Sequence, residues 1–286
     1  MPLTSRDQAP APFTRLLVPL TGTPANGVAE QTALRLAARY DLTLIGLHVI
    51  VPDTLPPDTL GDPGVGTPLD PTLMQFNDET LELQRHAQQA LLAAFSARCG
   101  AAGVRSVVRG KTGTAAEAIV HAALQENAVW LSREGLHPGR TVWESTFEAV
   151  VRHSSVPVWV CADQAQIPER IVIAYDAQRR ARDALAVATT LSLEWSLPLE
   201  VRVVSNEDTN AQEALREAQL TLDARGVSAR MNAVQGDAGL ALQAVADPDV
   251  LLVMGTHSHG TFLGFRQGHT VDTVLLGANG PVLLCP

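Results

Sequence analysis

The residues best suited to chemistry in this chain lie between Val250 and His269. Val250-Leu251-Leu252-Val253-Met254-Gly255 is a continuous apolar run closed by glycine, the pattern of a strand buried on both faces of a parallel sheet. Thr256-His257-Ser258-His259-Gly260 follows, the chain reaches Gly268-His269, and Thr270 to Leu276 reads as the start of a helix. A strand, a loop of small residues and a helix start offer unpaired backbone N–H groups and the positive end of a helix dipole to one point. That arrangement suits an anion, phosphate above all. The sequence specifies no carboxylate pair or base beside Gly255 and no Gly-x-Ser-x-Gly elbow, so binding is expected and an enzyme is not.

Other reactive side chains read as structural. His257 and His259 are two residues apart in the same loop, without a Cys or carboxylate at metal-ligand spacing, and are expected to be loop residues. Gly110-Lys111-Thr112 resembles the tail of a phosphate-binding P-loop, but that motif needs Gly five residues before its Gly-Lys, and Arg105 stands there. Cys99, Cys161 and Cys285 have no metal-like spacing, and their odd number suits a reducing compartment. Cys161 and Cys285 hold equivalent places and are expected to be small buried residues.

The elements that must position the loop occur twice. Arg15-Leu16-Leu17-Val18-Pro19-Leu20 and Arg170-Ile171-Val172-Ile173-Ala174-Tyr175 are short apolar runs opening on Arg. Each leads through a polar turn to an Ala/Leu-rich helix (about 25–40 and 181–195), then to a strand, at 42–50 and 199–204. Second helices are expected over about 78–99 and 209–225, with Gly stops at Gly100 or Gly103 and at Gly226. Third strands follow near 104–108 and 229–234. Third helices carry apolar stripes at Ala116, Ile119, Val120, Ala123 and Leu124, and at Leu240, Ala241, Ala244 and Val245. Fourth strands are 128–131 and 250–254; Val156-Pro157-Val158 and Gly280-Pro281-Val282 open the fifth.

The fold class is therefore α/β: two tandem doubly wound units, each a five-stranded, mostly parallel sheet flanked by helices. The units span 1–164 and 165–286, with a joint near 162–168. The first carries a Pro- and Gly-rich insertion at 51–76, expected to be an irregular loop.

Composition limits the partners. Of 286 residues, 46% are hydrophobic and 18% charged, which is an ordinary globular balance. The net charge of −9 has no basic block to set against it, which argues against nucleic acid or an anionic membrane as the main partner. Met1 to Pro12 lacks a charged start followed by an apolar core, and no apolar run approaches the roughly 18 residues of a spanning helix. A cytoplasmic protein is expected.

Two such units, each closing on a Pro-Val-hydrophobic strand, resemble a tandem universal stress protein over nearly the whole chain. The resemblance implies the adenine nucleotide alpha hydrolase-like fold and, in many members, ATP binding without rapid turnover. The family motif is Gly-x2-Gly-x9-Gly-Ser/Thr after the fourth strand, with an Asp ending the first. Carried over, Gly255 and Gly268 match the first and third Gly, Ser258 stands at the second, His269 stands at the Ser/Thr, and Thr270 follows with a hydroxyl. Asp176 matches the family Asp, and Val204, ending the second strand, is the expected adenine contact. In the first unit Thr21 replaces the Asp, Leu131 and Glu134 fall at two Gly positions, and Glu144-Ser145 falls at the Gly-Ser/Thr pair; a slip of one residue brings in Gly135.

The resemblance thus implies a stress-response regulator with an adenine nucleotide, ATP, in its C-terminal half. The alternative is a nucleotide-free interaction module of the same fold. Last strands often pair across a two-fold axis in this family, so the resemblance implies a pseudo-dimer within the chain and leaves association of two chains open.

Overall fold

A computed structural model describes residues 13–51, 71–133, 146–161, 166–256 and 270–286. Five strands occupy the first half: β1 (Arg15–Pro19), β2 (Thr43–Ile50), β3 (Ser106–Thr112), β4 (Ala128–Leu131) and β5 (Val158–Val160). Helices α1 (Pro24–Tyr40), α2 (Pro71–Ala101), α3 (Ala115–Ala123) and α4 (Thr146–His153) connect them. The second half repeats the series as β6 (Arg170–Ala174), α5 (Arg179–Trp195), β7 (Leu199–Val204), α6 (Asp208–Asp223), β8 (Ala229–Val234), α7 (Ala238–Gln243), β9 (Val250–Gly255), α8 (Thr270–Gly277) and β10 (Val282–Cys285).

All ten strands form one sheet in the order β3-β2-β1-β4-β5-β10-β9-β6-β7-β8. Within each half the pairs are parallel, and the strand order of one half mirrors that of the other. The halves meet where β5 and β10 run antiparallel, with Val160 opposite Val282, Trp159 opposite Leu283 and Val158 opposite Leu284. The expected pseudo-dimer within the chain is this seam.

Central strands are apolar on both faces because both faces carry helices. β4, β5 and β10 are buried at every residue. On one face Leu16, Val18, Phe95, Ile171, Ile173 and Leu185 belong to a core that includes residues of α1, α2, α5 and α6. On the other, Leu17, Ile45, Ile119, Val172, Leu252 and Val274 belong to a core beneath α3, α4, α7 and α8. The first core crosses the seam through stacked Trp130 and Trp159 (5.0 Å between centroids) and then Trp195 (6.0 Å). Trp195 also stacks on Tyr40 at 4.2 Å.

The structure corrects three expectations. α2 begins at Pro71, so 71–76 is helix and not part of an irregular insertion; residues 52–70 lie outside the described part. The third strand runs from Ser106 to Thr112 and not over 104–108, so that Gly110 stands opposite His48, Thr112 stands opposite Ile50, and Gly110-Lys111-Thr112 is part of an edge strand. α7 has six residues, buries Gly239 and Leu242, and leaves Leu240 63% exposed.

α5 and α6 lie on one face, and α7 and α8 on the other. β6 is thus followed by a helix on one face and β9 by a helix on the other, the switch point at which open α/β sheets form a ligand crevice beyond the carboxyl ends of the strands.

Candidate functional site

β9, β6 and β7 are neighbours, so their ends bring Gly255, Asp176 and Val204 to the same edge of the sheet. Asp176 lies two residues beyond β6 and is exposed. Its Oδ1 accepts the Gln178 backbone N–H at 2.9 Å, a turn made possible by Ala177 in the left-handed region at φ 59°. Gln178 is the N-cap of α5, so Asp176 stands at the positive end of a 17-residue helix. Val204 is half-buried at the end of β7 and packs on the second core.

Gly255 is the last residue of β9, opposite Cys285 of β10. A Cβ there would lie 2.7 Å from the Arg180 carbonyl carbon and 2.8 Å from its oxygen. Glycine is thus required by the approach of the first turn of α5 to the strand end, a reason that does not involve phosphate. Thr256 turns back onto β10: its N–H donates to the Cys285 carbonyl at 2.8 Å, and its hydroxyl donates to the same oxygen at 3.2 Å. Thr270 is half-buried and opens α8. Ser258, Gly268 and His269 lie outside the described residues, as do His257 and His259.

Sequence reasoning passed over the start of α5. Arg179, Arg180 and Arg182 sit in its first turn, where positive charge opposes the helix dipole. That conflict is the signal that was available in Arg179-Arg180-Ala181-Arg182. Arg182 is engaged: its Nε donates to Glu217 Oε1 at 2.7 Å and its Nη2 to Oε2 at 2.9 Å. The buried Tyr175 hydroxyl, one residue before Asp176, donates to the same carboxylate. Hydrogen bonds from Arg182 and then Tyr175 hold the Glu217 carboxyl below its usual range. Burial, and then Glu217, push the Tyr175 phenol well above its ordinary value. The network ties β6, α5 and α6 together behind the crevice. Arg179 and Arg180 have no ion-pair partner among the described residues.

The first half closes the corresponding place differently. Thr21 donates its N–H to Asn26 Oδ1 at 3.0 Å, its hydroxyl lies 2.9 Å from that of Thr23, and buried Asn26 donates to the Pro19 carbonyl at 2.9 Å. Gly22, at φ 76°, occupies the place of Ala177. Sheet register also settles the alignment of the halves. Leu17 pairs with Val129 and Val129 with Val158, while Val172 pairs with Leu252 and Leu252 with Val282. Val129 thus matches Leu252, and Ser132, not Leu131, matches Gly255. The slip of one residue is real; Gly135 and Ser145 lie outside the described residues.

A sequence model described as "Universal stress protein family" matches residues 12–162. The chain belongs to the universal stress protein family. The match covers the half whose candidate site departs further from the motif; the mirrored strand order extends the architecture to the other. No curated protein sequence matches the chain.

Among solved structures, a universal stress protein from Archaeoglobus fulgidus is similar at 18% identity and a TM-score of 0.68, over 96% of this chain and 96% of that one. A universal stress protein structure from Pseudomonas aeruginosa, described as putative, gives 17%, 0.56, 96% and 93%. The cytoplasmic domain of a prokaryotic cation chloride cotransporter gives 13%, 0.55, 95% and 94%. At these identities the likeness is one of fold, and it includes proteins put to different uses. No helix among the described residues is long and apolar enough to cross a membrane.

Proposed function

We propose that this universal stress protein binds an adenine nucleotide, ATP, in the crevice at the carboxyl ends of β6 and β9, and serves as a stress-response regulator without turning the nucleotide over. The observation that carries the reading is the convergence of Asp176, Val204 and Gly255 on adjacent strand ends beside the first turn of α5, whose Arg179 and Arg180 supply positive charge with no ion-pair partner among the described residues. Asp176 would orient the nucleoside, Val204 would meet the base, and Gly255 and Thr270 would flank the phosphates with Ser258, Gly268 and His269. The first half serves as a scaffold. Three free, buried cysteines support a reducing, cytoplasmic setting.

The test is nucleotide extracted from freshly purified full-length protein, together with melting curves with and without ATP. At ATP about 100-fold above its Kd, binding to the native state adds about 2.7 kcal/mol. For a chain of 286 residues unfolding as one unit this raises Tm by roughly 4–5 °C. No copurified nucleotide and no shift with ATP would refute the reading.

One observation favours the second reading, a nucleotide-free interaction module. Gly255 is required by packing on the Arg180 backbone, so its presence does not by itself record phosphate binding. A flat melting response to ATP beside specific capture of a protein partner decides for it.

A further inference from the structure

The turns from α4 to β5 and from α8 to β10 occupy equivalent places in the two halves, and they are closed by different means. Both helices have eight residues, and Ser154 N–H donates to Val150 O as Ala278 N–H does to Val274 O. In the first half Ser154 closes its own turn: its Oγ donates to the Val156 carbonyl at 2.7 Å and accepts the Val156 N–H at 3.2 Å. In the second half the matching residues are Ala278 and Gly280, both buried and neither able to donate from a side chain. Their carbonyls take donors from across the seam. Arg133 Nη2 donates to Ala278 O at 2.5 Å and to Gly280 O at 3.3 Å.

Arg133 lies two residues beyond β4, in the first half, and its match in the second half is Thr256, whose N–H and hydroxyl both donate to the Cys285 carbonyl of β10 in its own half. A guanidinium at the C-terminal end of a helix both satisfies orphan carbonyls and complements the negative end of the dipole. The bond is charge-assisted and half-buried, the circumstance in which such contacts are strongest.

We propose that Arg133 is a cap supplied in trans to α8, through which the N-terminal half sets the position of the helix that begins at Thr270. α8 is a rod of about 12 Å, held on its flank by α7 and past its far end by Arg133, beside the Asn279 and Gly280 N–H groups, which donate to Ala246 O. Displacing Arg133 removes the only one of these ties that comes from the N-terminal half, loosens that end and shifts Thr270. That Thr270 then alters nucleotide affinity rests on the reading above; the clamp itself does not.

The experiment is amide hydrogen exchange on the full chain without nucleotide, comparing the peptides of α8, α4 and α5. Arg133→Met keeps the apolar stem and removes the donors. Exchange in α8 is expected to quicken about tenfold, with α4 and α5 unchanged. Adding Ala278→Ser to that variant supplies the local donor that Ser154 provides in the other half, and is expected to restore protection. Unchanged protection of α8 in Arg133→Met overturns the proposal, as does an equal loss in α4 and α5. If Arg133→Met does not fold, recovery of folding by Ala278→Ser supports the proposal and failure to recover overturns it. Because no ligand is present, the result stands whether or not ATP binds.

Discussion

Replacing Gly255 by alanine separates packing from ligand binding at the candidate site. In an unhindered strand, Gly→Ala stabilises by roughly 0.4–1 kcal/mol, because it restricts the unfolded chain. At Gly255 the new Cβ meets the Arg180 carbonyl carbon at 2.7 Å, where ordinary contact begins at 3.4 Å, so strand and helix must part by about 0.7 Å. The obstacle is backbone, which has no rotamer to retreat into. Overpacking of this kind costs about 1–3 kcal/mol. With an unfolding entropy of about 0.6 kcal/mol/K for a chain of 286 residues, Tm is expected to fall by roughly 2–5 °C. The assay is thermal unfolding without nucleotide, followed by far-UV circular dichroism, beside a Ser132→Gly control at the matching position. Ser132 already carries a Cβ, so its removal is expected to move stability by less than about 1 kcal/mol. An unchanged or raised Tm for Gly255→Ala would refute the argument, and Gly255 would then need a ligand to explain it. Loss of ATP binding in any variant at Gly255 is meaningful only beside this measurement.

Two further perturbations probe the walls of the crevice. Ala177→Gly relieves a left-handed backbone that costs an L-residue about 1–2 kcal/mol, a place where the first half uses Gly22. After the added entropy of glycine, a gain of about 0.5–1 kcal/mol in urea unfolding is expected, and a loss would count against it. Glu217→Gln tests the network with Arg182 and Tyr175. The native carboxyl is held below its usual range, so its contribution is present above the unfolded pKa of about 4.3 and is lost as pH falls through the folded value. The variant is expected to be less stable at pH 7 and to lose less stability than the parent between pH 5 and 3. Parallel pH profiles of the urea midpoint would show that the network does not contribute.

The repeat was legible because its strands are unbroken apolar runs between turn residues, and burial on both faces is written in composition. Val250 to Gly255 reads as a central strand from its side chains alone. Short or exposed elements were less visible. α7 has too few residues for a helical period to show, so Leu240 was assigned inward when Leu242 is the buried one. The start of α2 was obscured by the Pro- and Gly-rich stretch that precedes it. The one-residue offset that pairs Ser132 with Gly255 became visible only through hydrogen-bonded register, since counting from Pro157 carries over the interval of the second half, and the first half has one residue fewer between β4 and β5. At the candidate site, Asp176 and Gly255 were named from the resemblance to the family motif. The reason that Gly255 must be glycine lies in Arg180, 75 positions away in sequence, and no local pattern reports such a contact. The same holds for Arg133 and Ala278, 145 residues apart.

The seam between β5 and β10 has a consequence for how the molecule diverges. In a symmetric dimer of separate chains every substitution appears on both sides of the contact, and the contact weakens as the chains are diluted. Here the complementary edge is delivered by the same polypeptide, so dilution cannot separate the pair. Each side is also encoded by its own codons. Arg133 can arise on one side while Thr256 persists on the other, and a single gene then specifies what amounts to a heterodimer of fixed stoichiometry.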